Sequence, residues 1–376
     1  MQLMQGTRRR NRRPWVVGSM VLLAAMGALS VSRGASAAHA APAPRARSGI
    51  GALHQIDVVA STVNPANGDT NPYGVVWDTF AGTATSPNPY YGDLLVSNFN
   101  NRAGENGAGS TIEAINPQTG AVSTWTTAAA GPVALAVSPK GPVWIANFGT
   151  EGTNGNVMVL TPQGQAFPNG GSVIARSPFD GPWGQVFVPN PTAPAFLVTN
   201  GLSGTIDAMY GFSPPSFSTD TEVAVIGSGL AHAGNTAGTV MGPQGMVYDP
   251  ATHMVYVTDA ADNSIRAFYW NGPTTPNQGQ GRLVYQGGAL KAPAGITIDP
   301  LNGDLLVVNQ GNNHLVELRL GRDRARVVGQ KVLDRTPVNP RTGAGSALFG
   351  VAAAVSDGHL QVFFTNDNTN TVDVLK

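Results

Sequence analysis

The sequence predicts an all-β fold, a six-bladed ring of four-stranded antiparallel units, and three observations predict it. A short line recurs six times, as NPYG at 71, GPVA at 131, GPWG at 181, GPQG at 242, APAG at 292 and ALFG at 347, spaced 60, 50, 61, 50 and 55 residues apart. Each copy is followed by apolar stretches with the two-residue alternation of strands, and no convincing helical period follows the N-terminal region. With 47 glycines, 28 prolines and 12% charged residues, the composition suits short strands joined by many tight turns. A sheet of this size buries both faces only against copies of itself, so the units close into a β-propeller.

Within each unit the elements follow in a fixed order. The repeated line is read as a turn before a buried first strand: VVWD, LAVSP, QVFVP, MVYDP, ITIDP and VAAAV. A second strand ends on an amide or acid, at Asn98, Asn147, Asn200, Asp259, Asn309 and Asn366. A third strand follows a loop rich in Gly and Asn, and most units add a fourth, such as AVSTWTT, TEVAVIGS, RLVYQGG and RARVVGQKVL. The sixth copy stops at Lys376 after its third strand. The one unused strand-like segment, 54–60 (HQIDVVA), is therefore expected to pair beside NTVDVLK and close the ring. The propeller is expected over 53–376, after a flexible leader at 41–52.

Residues 1–40 read as a signal peptide: the basic TRRRNRR at 7–13, an apolar run from Trp15 to Val31, and a cleavage site at Ala38-His39-Ala40. The run is short for a membrane span, which needs about 20 predominantly apolar residues. Asn11-Arg12-Arg13-Pro14 resembles a twin-arginine signal with Asn where Ser or Thr is usual. The chain is thus expected to be exported, periplasmic or extracellular, with no membrane span after cleavage. Residues 1–40 hold six of the 22 basic residues and no acid, so 16 basic against 22 acidic remain, a net of −6. That sign argues against a nucleic-acid partner. The basic run of Arg319, Arg322, Arg324 and Arg326 reads as a solvated hairpin edge. Cysteine is absent, which excludes disulfides, thiolate catalysis and thiolate metal sites.

The fourth copy reads Pro243-x-Gly245, then Val257-Thr258-Asp259, then Asn263-Ser264-Ile265. This line resembles the NHL-repeat propellers, as do the first and fifth copies, over nearly all of 53–376. Copy three lacks the Gly before its second strand, and copy six has Leu348 in place of Pro. The resemblance implies a six-bladed architecture rather than an activity. It also implies that the loops entering the first strands gather on one face with the loops joining strands two and three, around a channel mouth. The residues at the centre of the repeated line are then Tyr73, Val133, Trp183, Gln244, Ala294 and Phe349. The chain is similar in outline to gluconolactonase-type propellers, which hold a catalytic metal with Asn, Asp and Glu at that turn. These six positions carry no carboxylate and no Asn, so no metal site and no cofactor are expected from that likeness. The loops 64–71, 98–110 and 366–370 are the places where a calcium ion is weighed, and none has an EF-hand spacing.

The chain is also similar in outline to streptogramin lyases, which need a His and acid cluster on the same face. His253 and His359 fall on the opposite face; His232 and His314 remain. His232 near Asp259 and Asp262 is the best catalytic candidate, and Ser228 completes a nominal Ser/His/Asp set without a nucleophile elbow. The Asn and Asp residues ending the second strands are read as turn formers. The remaining mouth is aromatic and amide-rich. Tyr73, Trp183 and Phe349 offer flat faces, and Gln244, Asn98, Asn147 and Asn200 offer donors and acceptors. The functional expectation is a monomeric binding module for a neutral small molecule, a glycan or a protein at that mouth. The alternative is a small-molecule hydrolase or lyase using His232 and Asp259. Trp77, Trp144 and Trp270 are expected to pack between blades.

Overall fold

The computed structural model describes residues 49–149, 155–168, 171–174 and 179–376. The expected signal peptide and most of the leader lie outside the described residues. Among the described residues twenty-four strands form six four-stranded antiparallel sheets. Blade one is β2 (Thr70–Trp77), β3 (Leu94–Asn100), β4 (Ile112–Ile115) and β5 (Val122–Thr126). Blade two is β6 (Pro132–Val137), β7 (Val143–Asn147), β8 (Asn156–Leu160) and the two-residue β9 (Val173–Ile174). Blade three is β10 (Pro182–Val188), β11 (Ala195–Asn200), β12 (Thr205–Tyr210) and β13 (Glu222–Gly227), and blade four is β14 (Pro243–Asp249), β15 (Met254–Asp259), β16 (Ser264–Phe268) and β17 (Arg282–Gln286). Blade five is β18 (Pro293–Ile298), β19 (Leu305–Asn309), β20 (His314–Arg319) and β21 (Arg326–Val332). Blade six is β22 (Leu348–Ser356), β23 (His359–Asn366) and β24 (Thr371–Leu375), completed by β1 (Ile56–Ser61) from the other end of the chain. Strand β1 runs antiparallel to β24 from Ile56 opposite Leu375 to Ser61 opposite Thr371, the closure expected from the unfinished sixth copy.

Seven apolar clusters make the core. Six lie between successive blades; Trp144, for example, stacks on Phe196 across blades two and three at 4.1 Å between ring centroids. Trp77 and Trp270 pack between blades as expected. The seventh cluster sits on the propeller axis. The segment before β1 also belongs to the core. Ile50–Ala52 forms a turn of 3-10 helix, Ile50 is fully buried with Leu53 between blades five and six, and the Ile50 N–H donates to Glu317 Oε2 at 3.1 Å. The leader expected through residue 52 therefore gives way to packed structure by Ile50, because an apolar side chain there reaches the cleft between two blades. A single helical turn at Phe217–Asp220, unanticipated from the sequence, inserts Phe217 into the cluster of blades two and three. The arginine run sits at the hairpin of blade five, where Arg319 pairs opposite Arg326 and bonds Asp304 at 2.8 Å.

The repeated line is a bulge inside the first strand, not a turn before it. In every blade its second residue, Pro or in blade six Leu348, pairs with the Asn or Asp at or near the end of the second strand, as Pro182 with Asn200, and the register then shifts by the residues that follow. Proline is tolerated there because it lacks the N–H that a regular ladder would use. The glycine serves the contact between blades. A Cβ on Gly184 would lie 1.9 Å from the Gln244 carbonyl oxygen of the next blade, and Gly245, Gly295, Gly350 and Gly74 meet the next first strand in the same way. A hydroxyl bridges this approach. The Gly184 N–H donates to Thr199 Oγ1 at 2.7 Å, and Thr199 donates to Gln244 O at 2.8 Å. Ser97 makes the same bridge from blade one and Thr365 from blade six, and Thr258 donates to Ala294 O from blade four. Blade two lacks both members, with Ala134 and Ala146 in their places.

Candidate functional site

The bulges bring the six central residues of the repeat around the axis, but not as an open mouth. Tyr73 stacks on Phe349 at 3.9 Å and on Phe99 at 4.4 Å between centroids, and Trp183 leans on Tyr73 at 5.4 Å and on Phe148 at 5.7 Å. Val133, Ala237 and Val240 complete this cluster. The last two come from the connection between β13 and β14, which folds back through a bridge between Ala233 and Met241. The aromatic faces expected to meet a ligand on this side are spent on one another, since apolar rings crowded on an axis bury each other before they bury anything else. Beneath the plug runs a polar network. With its amide turned to suit its neighbours, Asn71 donates to Asp367 and accepts from Asn100, and burial pushes Asp367 up to about 6.

The axis is open on the other side of the plug. A cavity of about 400 Å³ runs along the channel, floored by Tyr73, Trp183 and Phe349 and walled by the first strands of all six blades. Its outer end is framed by Thr79, Val137, Phe187, Tyr248 and Thr297, all exposed or partly exposed, so it opens on the face of the first-to-second strand turns. This is the face opposite the expected mouth. Among the described residues no Asp, Glu, Lys, Arg or His lines it. Its ionisable lining groups are Tyr73 and Tyr248, and the Tyr248 hydroxyl lies 3.0 Å from His253 Nδ1 at the rim. Each first strand pairs on one side alone, so its free edge, with backbone N–H and C=O groups, faces the channel. The signal for this cavity was present in the residues after each glycine, VVW, QVF, MVY and ITI. Their small and β-branched members leave the axis unfilled where the aromatic residues before the glycine fill it.

The other predicted site residues are elsewhere. Asn98, Asn147 and Asn200 are fully buried and serve the backbone around them. Asn98 Nδ2 donates to Thr62 O at 2.7 Å, Asn147 accepts from the Ala130 N–H at 3.3 Å, and Asn200 accepts from the Asp180 N–H at 3.1 Å while donating to Asp207 at 2.7 Å. Gln244 is also fully buried, accepts from Gln310 at 2.9 Å and does not line the cavity. His232 is exposed, with Nδ1 3.0 Å from Leu230 O. Asp259 is buried and accepts from the Ala261 N–H at 3.0 Å. Among the described residues no hydrogen bond or ion pair joins His232 to Asp259, and Ser228 bonds Asn277 instead of either. The nominal triad is not assembled, because His232 and Asp259 are each engaged by their own loop and Ser228 by the connection between β16 and β17. His314 shares a hydrogen with Gln330 at 2.6 Å, and burial lowers its pKa. Among the described residues no group of three or more His, Cys, Asp or Glu converges as a metal site.

The buried carboxyls give the fold a pH signature. Burial holds Asp78, Asp259, Asp299 and Asp367 up to about 6 and Asp207 up to about 7. Each binds a proton in the native state that the unfolded chain, near 3.8, has already released. Their stabilising contribution is complete below about 4 and is lost as pH rises through 6 to 7. Asp57 and Asp334 are shifted downward and act in the opposite sense only below their ordinary values, outside this window, while His314, lowered by burial from its ordinary 6.5, opposes the trend as one group against five. The melting temperature at constant ionic strength is therefore expected to be higher at pH 5 than at pH 8. A maximum at pH 8 would contradict the assignment.

Six four-stranded blades closed around a channel define a six-bladed β-propeller. Comparison with known proteins agrees on the fold and goes no further. No family model matches the chain, and no curated protein matches it. Among solved structures it is similar to a Thermus thermophilus oxidoreductase described as a glucose dehydrogenase, 17% identical over 86% of this chain and 99% of that one, with a TM-score of 0.53. It is similar also to an auxiliary nutrient binding protein of Bacteroides thetaiotaomicron, 11% identical over 85% of this chain and 76% of that one, TM-score 0.53. A nidogen/laminin complex structure matches at 12% identity over 70% of this chain and 80% of that one, TM-score 0.47.

Proposed function

We propose that the chain is an exported, NHL-type, monomeric binding propeller that holds a neutral small molecule in its channel, entered from the face of the first-to-second strand turns. The observation that carries this is the cavity of about 400 Å³, with an aromatic floor and walls free of charged side chains. Its size falls within the usual range for small-ligand pockets, about 300–1,000 Å³. An anion finds no cation there and a metal no carboxylate. A glycan finds few hydrogen-bonding side chains on the walls, so the neutral small molecule is the best match among the expected ligands. The polar demand falls on free strand edges and a few hydroxyls, and the apolar demand on the floor. Export rests on residues 1–40, and an N-terminus near Ala41 on protein recovered outside the cytoplasm is its check.

Titration with the neutral dye Nile red tests the site. The intact protein is expected to bind one dye per chain. Ala353→Trp, which places an indole in the wall, is expected to weaken binding at least about ten-fold, as the loss of about 1.4 kcal/mol or more implies. Its melting temperature is measured in parallel, and Thr297→Trp at the rim serves if Ala353→Trp does not fold. Unchanged binding in a folded variant would remove the channel from consideration.

A further inference from the structure

One residue in the channel wall breaks the pattern of the other blades. Directly after the small residue of each bulge stand Val75, Leu135, Gln185, Met246, Ile296 and Val351. All six line the cavity, and each pairs across to an apolar residue of the second strand, Gln185 to Val198. Five are apolar, as a wall between packed blades requires. Gln185 is 5% exposed, and neither its Oε1 nor its Nε2 has a hydrogen-bond partner. An amide buried without partners costs about 1–3 kcal/mol, and nothing in the packing of blade three returns it. Its register partner Val198 belongs to the apolar cluster of blades two and three, and on its other side Gln185 lines the cavity, the open space beside it.

We infer that Gln185 is the specificity-determining residue of the channel, and that the ligand is a neutral molecule with an apolar body and a carboxamide or lactam end. This inference rests on the channel reading above and names the ligand class for that site. A primary amide offers one acceptor and donors at fixed geometry, and a ligand amide or lactam meets both at once through a pair of antiparallel hydrogen bonds. A ketone meets only half of the pair, and a hydrocarbon none. Gln185 stands beside Trp183, so the polar end of the ligand reaches the inner wall near the aromatic floor while its apolar body lies along the valine and isoleucine walls. Discrimination of this kind is strong because the wrong ligand leaves the site's own buried amide unpaired.

Three probes of nearly equal shape separate the possibilities: 2-naphthamide, 2-acetylnaphthalene and 2-ethylnaphthalene. They are titrated against the intact protein and Gln185→Met, the residue blade four uses at this position. The intact protein is expected to prefer the amide over the ketone by about ten-fold, the factor corresponding to one satisfied buried polar partner. Gln185→Met is expected to lose that preference, to keep its affinity for 2-ethylnaphthalene, and to melt at a higher temperature without ligand. Gln185→Asn, which keeps the amide but shortens its reach, separates loss of chemistry from loss of packing and is expected to retain part of the preference. Equal affinity for all three probes in both proteins, or an unchanged or lower melting temperature for Gln185→Met, would overturn the role of Gln185 and leave the channel reading standing. Failure of all three probes and Nile red to bind the intact protein would overturn the channel reading, and this inference with it.

Discussion

Deleting residues 49–61 is expected to unfold the ring at temperatures where the intact protein is stable. Strand β1 supplies the outer strand of blade six, and without it β24 keeps an unpaired edge. The same segment carries Ile50 and Leu53 into the cleft of blades five and six. Full burial of such side chains contributes roughly 1.5–3 kcal/mol each. Against a net stability of about 5–15 kcal/mol, losing both together with a strand removes most of the margin. Ile50→Asp isolates the apolar part, since it leaves β1 in place and puts a charge where the neighbouring buried acid is Glu317. The deleted chain should lose its cooperative melt by circular dichroism, and Ile50→Asp should melt well below the parent. An unshifted melt for the deletion would show that β1 decorates a ring that closes without it.

Gly184→Ala is expected to cost about 2–4 kcal/mol, combining overpacking with an unmade hydrogen bond. The added methyl would sit 1.9 Å from the Gln244 carbonyl oxygen, which is backbone and cannot swing away. Blades three and four must separate, and the Thr199 hydroxyl then loses the carbonyl it serves. Thr199→Val should cost about 1–3 kcal/mol alone, because it strands the Gly184 N–H and the Gln244 C=O. The two changes act on one contact, so a double-mutant cycle in urea should give less than the sum of the single effects. A neutral Gly184→Ala would mean that adjacent first strands are looser than their geometry implies.

The fold was legible because repetition forces it: six copies of one line, each ending its second strand on Asn or Asp, leave few architectures, and the unfinished sixth copy pointed to β1. The repeated line reads locally as a turn. A turn and a bulge use the same residues locally, and only the neighbouring blade shows that Gly184 is there for the Gln244 carbonyl. The site was half legible. Tyr73, Trp183 and Phe349 were placed on the axis, but which side of them stays open depends on whether Phe99, Phe148, Ala237 and Val240 cover them. Phe99 stands near the end of β3, and the other three lie in loops whose course no period reveals. His232 and Asp259 share a candidate face, yet each is engaged by its own loop, and sharing a face does not bring two groups within bonding reach. Gln185 is a polar letter in QVFVP, but a glutamine in a strand is ordinary until its burial and lack of partners are known.

The most direct test of the channel as a ligand site is a crystal soaked with 6-bromo-2-naphthamide and measured at the bromine edge. A bromine anomalous peak inside the ring of first strands, above the floor of Tyr73, Trp183 and Phe349, is the predicted result. Bromine found only on the outer faces of the blades, with the channel empty, would contradict it.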